Sequence, residues 1–197
     1  MTQLTVSLTI LVLTHLVPSA PGERPACIRL MGLYGFRFVY SFVSLAVVTW
    51  VVVAYIDAAD SPWLWSPPAW ARWLAVFAMP VALWLIAIRL IQRPDHARSG
   101  IYRLIPAPGS WGLLIWSSFH LLNIGQARAV LLFGVFAAIS SIAMIKNTMT
   151  ARSRAGWHSS GPVWNWRPFL AAILFWLLLL HAHPYLIGVD PLAGVLR

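Results

Sequence analysis

The stretch GLLIWSSFHLLNIG, Gly112–Gly125, is apolar almost throughout and yet carries a histidine, His120, in its interior. A run of this composition reads as a helix suited to hydrocarbon, where an ionisable ring must be neutral or paired. Its surroundings are of the same kind. The chain of 197 residues is 60% hydrophobic and only 10% charged, and its mean hydropathy is +0.76. A soluble domain would carry charge at about a quarter of its positions. An integral membrane protein is therefore expected, all-α and polytopic.

A helix crossing the bilayer core needs about 20 apolar residues, with about 17 sometimes sufficient. Measured against that length, six runs qualify: residues 2–17, 34–56, 70–91, 109–124, 127–145 and 168–187, of which the first and fourth are short. Between them lie PSAPGERP, DAADSPWLWSPP, QRPDHARSG, PAPG and SSGPVWNWRP, whose Pro, Gly, Ser and charged residues punctuate helices. The expected architecture is a bundle of about six transmembrane helices forming one domain, residues 1–197. The opening MTQLTVSLTILVLTHLVPSA has no basic residue before its apolar run, so it is read as a retained helix rather than a secretory signal.

Orientation follows from the basic residues. Arg24, Arg29 and Arg37 fall in the first loop, Arg89, Arg93, Arg98 and Arg103 in the third, and Lys146, Arg152, Arg154 and Arg167 in the fifth, together 11 of the 14 Lys and Arg. The positive-inside rule makes these loops cytoplasmic and puts both termini outside, as expected for a multi-pass protein of the bacterial inner membrane. Trp63, Trp65, Trp70 and Trp73 then cluster near the outer surface and Trp157, Trp164 and Trp166 near the inner one, as interfacial anchors. The formal charge of +9 is scattered between apolar blocks, which excludes a nucleic-acid-binding face. The lone cysteine, Cys27, excludes an internal disulfide and a cysteine-based metal cage, and is read as a free thiol in a cytoplasmic loop.

Several chemistries are excluded by what is missing. Five acids, all in loops or at helix ends, provide neither a serine-histidine-acid set nor the carboxylates of metal-dependent hydrolysis. GxxxxGK and GxGxxG loops are absent, so no phosphate cradle is encoded. Chemistry in such a chain requires a borrowed cofactor.

Two histidines lie within apolar runs: His15 in VLTHLVPS and His120. Each ring either hydrogen-bonds a neighbouring helix for packing or ligates a metal, since neutral imidazole is a common metal ligand and an axial ligand of haem iron. Depth weighs against a shared ion. His15 ends a helix running inward, whereas His120 stands about 17 Å along a helix that starts inside, at 1.5 Å per residue. His96 and His158 are expected in solvated loops. His181 and His183, in HAHPY, are two residues apart and face nearly opposite ways on a helix, so a shared metal would require a break at Pro184.

The segments LTHLVPSAPGERP, YGFRFVYSFVSL, PAPGSWGLLIWSSFHLLNIG and LLLLHAHPYLIGVDPL, in this order and spacing, resemble the NnrU family of bacterial membrane proteins. The resemblance implies an association with nitrite and nitric oxide metabolism in denitrifying bacteria. Relatives of the family include 15-cis-zeta-carotene isomerase, whose b-type haem is held by two histidines. By motif, that pair falls on His15 and His120, which makes haem b the implied cofactor and both residues implied ligands of its iron. The chain departs from the family in two places. Where members commonly read His-Pro-x-x-Trp-Gly, this chain reads APGSWG, with Ala107 in the histidine's place. Where many carry an acid after Asn-Gly, this chain has Gln126.

Three functions follow as expectations. The first is a haem-binding protein of nitrogen-oxide metabolism or redox sensing, served by a redox partner protein. The second is a haem-dependent cis-trans isomerase of an apolar, carotenoid-like polyene, which the loss of the histidine at Ala107 puts in doubt. The third is a cofactor-free assembly or interaction protein whose histidines only pack. All three work within a lipid bilayer and none involves nucleic acid.

Overall fold

A computed structural model describes residues 1–16, 22–92, 100–153 and 165–193. It contains six α-helices: α1 (Thr2–Leu16), α2 (Glu23–Asp57), α3 (Ala69–Ile91), α4 (Pro108–Asn123), α5 (Ala127–Ser153) and α6 (Trp166–Ile187). One 3₁₀ turn, Gly100–Arg103, lies between α3 and α4, and the described residues hold no strand beyond a single antiparallel bridge between Trp63 and Gln126. The all-α expectation stands, and each of the six apolar runs is a helix. Four of them, α2, α3, α5 over Ala127–Met149 and α6, are long and apolar enough to cross a membrane.

The boundaries differ from the sequence reading in two places. Residues 23–33, expected within a loop, are helical, and Cys27 lies in that helix. Pro25 misleads here: it stands in the first turn, where its missing N–H would have had no intrahelical acceptor anyway. At the other end, α5 continues past Ile145 to Ser153, so Lys146 is on a helix rather than in a loop.

The chain separates into two compact units, Met1–Leu64 with Gln126–Val135, and Trp65–Gly125 with Phe136–Arg197. In the first, α1 packs on α2. Leu4, Ser7, Leu8 and Leu11 recur at helical spacing and are buried, as are Phe36, Val47, Val51 and Ala54 of α2. Gly32 interrupts α2 with φ 73° and ψ 166°, backbone angles that glycine adopts at little cost.

A polar clamp joins the end of α2 to the start of α5. The Gln126 amide donates to the carbonyls of Ala59 (2.5 Å) and Ser61 (3.1 Å) and accepts from Arg128 Nε at 2.9 Å. Arg128 also donates to the Tyr55 carbonyl at 3.1 Å and stands 4.6 Å above that residue's ring.

In the second unit, α3 lies against α4 and α6. The approach of α4 to α3 is set by glycine. A β-carbon at Gly112 would come 2.5 Å from the Ala82 carbonyl oxygen and 2.9 Å from Ile86, so the two backbones meet there. Leu85, Ile88, Ile101 and Tyr102 form a buried cluster beside this contact, with Trp84, Ile105 and Ile115 packed against it. The Tyr102 hydroxyl donates to the Gln92 carbonyl at 2.8 Å. Asn123 fixes the far end of α4 by donating to Ala71 of α3 at 3.0 Å. Arg72, one residue further along α3, donates to the Ala193 carbonyl.

Trp63, Trp65, Trp70, Trp73 and Trp166 are all at least 40% exposed, which suits anchors that present an indole to the interface. Trp157 and Trp164 lie outside the described residues.

Candidate functional site

His120 sits in the last turn of α4. Its Nδ1 is 2.7 Å from the carbonyl oxygen of Trp116, one turn back. A carbonyl oxygen can only accept, so Nδ1 carries the proton and the ring's lone pair is on Nε2. That is the tautomer in which a histidine ligates a metal, its orientation fixed by a backbone carbonyl. The neighbourhood is aromatic. The indole of Trp116 stands 4.8 Å from the imidazole, tilted by 45°, and meets Phe136 of α5 edge-on at 5.6 Å. The Ser117 hydroxyl, fully buried, is turned back onto the carbonyls of Leu113 and Leu114 and offers nothing outward.

His15 repeats the arrangement in the first unit. Its Nδ1 is 3.0 Å from the Leu11 carbonyl, which again puts the lone pair on Nε2. His181 and His183 do not converge on one point. His181 Nδ1 faces the Leu177 carbonyl at 2.8 Å, whereas His183 Nδ1 reaches forward to Val189 at 2.8 Å. The helix runs through Pro184 to Ile187, so the break that a shared metal would need is missing. Among the described residues no group of three or more His, Cys, Asp or Glu is placed to hold a metal ion. A two-imidazole site needs no such group. His96 and His158 lie outside the described residues.

His183 belongs to the same unit as His120, on α6 rather than α4. That unit also holds two buried polar atoms without a hydrogen-bond partner among the described residues, Ser140 Oγ and Trp176 Nε1. Ser140 is one turn beyond Phe136, the ring that meets Trp116, and Trp176 is two turns before His183. Buried polar atoms are normally satisfied, and exceptions call for an explanation such as an acceptor that the chain does not itself supply.

At the start of α4, Ala107 is the N-cap and is buried. It provides no side-chain cap, and only its carbonyl serves the helix, accepting from Trp111 at 3.1 Å. A histidine here would stand over the unsatisfied N–H groups of the first turn.

These features define a multi-spanning, all-α membrane protein with histidines set into apolar helices. The model of the NnrU protein family matches residues 3–191, and the chain belongs to the NnrU family. Neither the curated proteins nor the solved structures contain a match.

Proposed function

We propose that this protein binds b-type haem in the bacterial inner membrane, that His120 would be one of the residues holding its iron, and that it serves nitrogen-oxide metabolism or redox sensing. The observation that carries the reading is the hydrogen bond of His120 Nδ1 to the Trp116 carbonyl, which orients the imidazole for ligation through Nε2 beside an aromatic pair. The donor chemistry fits the group, and the unpartnered Ser140 and Trp176 suit a unit that receives something with acceptor atoms.

His15 is the second ligand that the family resemblance implies, and its ring carries the same tautomer. A second reading takes the other imidazole from His183, which belongs to the same unit as His120. When bound, a haem with two imidazole ligands supplies one-electron chemistry at iron with no open position. The chain's own part is to hold each imidazole in one tautomer, to shield the His120 ring behind Trp116 and Phe136, and to limit the access of water. Without a histidine at Ala107 the isomerase reading has lost a family residue, so electron transfer or sensing is the better supported role.

The absorption spectrum tests this. Protein purified in detergent from cells supplied with haem should show a Soret band and, on reduction, sharp α and β bands. His120→Ala should abolish that low-spin spectrum and His181→Ala should leave it. Loss in His15→Ala but not in His183→Ala identifies the family pair, and the reverse identifies the second reading. Folded, haem-supplied protein without colour would refute haem binding altogether.

A further inference from the structure

The first 9 or so residues of α2 are set apart from the rest. Residues 23–31 are bracketed by two glycines with positive φ, Gly22 at 89° and Gly32 at 73°. Length gives the reason for a break. The 35 residues of α2 would extend about 52 Å if straight, against a hydrocarbon core of about 30 Å. Residues 33–57 alone extend about 37 Å and suffice to cross. The segment before Gly32 is therefore surplus to the span, and the break allows it to leave the span's axis.

Its chemistry is that of a membrane surface. Arg24 and Arg29 precede the break and Arg37 follows it, all exposed, while Glu23 is the single acid among residues 22–40. The Arg24 guanidinium lies 5.9 Å from the Phe36 ring centroid, across the glycine, which ties the two parts of α2 together and leaves the guanidinium edge available for hydrogen bonds. Large apolar side chains flank the same point: Leu30 is 84% exposed and Tyr34 81%. Apolar rings and chains beside forked, permanently charged donors match the boundary between acyl chains and phosphate.

We infer that residues 23–31 form an interfacial helix lying along the bilayer surface, and that Arg24, Arg29 and Arg37, gathered around Gly32, bind the phosphate of anionic phospholipid. This rests on the first unit alone and stands whether or not the protein binds haem. Each arginine is expected to contribute on the order of fivefold to the preference for anionic over zwitterionic lipid.

The single cysteine makes the test direct. A nitroxide on Cys27 of the full-length protein, or on Leu30→Cys in a Cys27→Ala background, is read by power saturation in vesicles of phosphatidylcholine and of phosphatidylcholine with one quarter phosphatidylglycerol. Both probes should report headgroup depth. Phosphatidylglycerol should immobilise them further, and Arg24→Gln/Arg29→Gln/Arg37→Gln or high salt should remove that increment while leaving the depth. Probes in bulk water, or shielded by protein from membrane-borne relaxants, would overturn the interfacial helix. Indifference to phosphatidylglycerol in the unmodified chain would overturn the headgroup site.

Discussion

Gln126 donates its amide to two carbonyls, those of Ala59 and Ser61, that a carboxylate could only repel. The chain thus keeps a donor here, and Arg128 orients it from the other side. Gln126→Glu should forfeit two hydrogen bonds at about 0.5–1.5 kcal/mol each. The ion pair gained with Arg128 returns only about 0–1 kcal/mol at a partly exposed site. The net expectation is a loss of about 1–2 kcal/mol, seen as a lower midpoint in thermal unfolding of the detergent-solubilised protein. An unchanged midpoint would mean that the clamp carries no stability. His120 was legible from sequence, because an ionisable group in an apolar run stands out against its neighbours. The hold of Gln126 on residues 67 and 65 positions away was not, because it arises only when distant segments meet.

At the scale of elements, long apolar runs name helices well, since hydrocarbon leaves a backbone no other way to satisfy its polar groups. The start of α2 was hidden by the opposite logic: Pro25, Gly22 and charge read as a loop, although each is acceptable at a helix start. The Gly32 break was hidden as well, because a glycine's φ leaves no trace in composition. Gly112 was legible in kind, as a small residue admitting a neighbour, but not its partner. Substituting it tests the α3–α4 contact. In Gly112→Ala the new methyl meets the Ala82 carbonyl oxygen at 2.5 Å, with backbone on the far side that cannot step away. A loss of about 1–3 kcal/mol is expected, as for other overpacked sites. Thermal unfolding reads it, and Gly134→Ala, with nothing within 4 Å of its added β-carbon, should be near neutral. Equal effects from the two substitutions would remove the close contact as the cause.

For the molecule as a whole, we propose six spans with both termini outside. Two helices strain that count: α1 and α4 have 15 and 16 residues, about 22 and 24 Å, against a core of about 30 Å. A short span is accommodated by local thinning of the bilayer or by interfacial anchors. Of the three arginines that this orientation leaves outside, Arg72 and Arg128 donate to backbone carbonyls, and Arg197 lies outside the described residues. A reporter fused after Arg197 that is active only outside the cytoplasm should be bright, and one active only in the cytoplasm dark. The reverse result would require an odd number of spans.

The tie between Arg72 and Ala193 bears on the order in which the protein is made. The two residues are 121 positions apart, so at about 5–20 residues per second the arginine waits roughly 6–24 s for its acceptor to be synthesised. For most of that interval α3 is complete and α6 is not, so the tie that holds α3 to the segment after α6 can close only once the last helix has been synthesised.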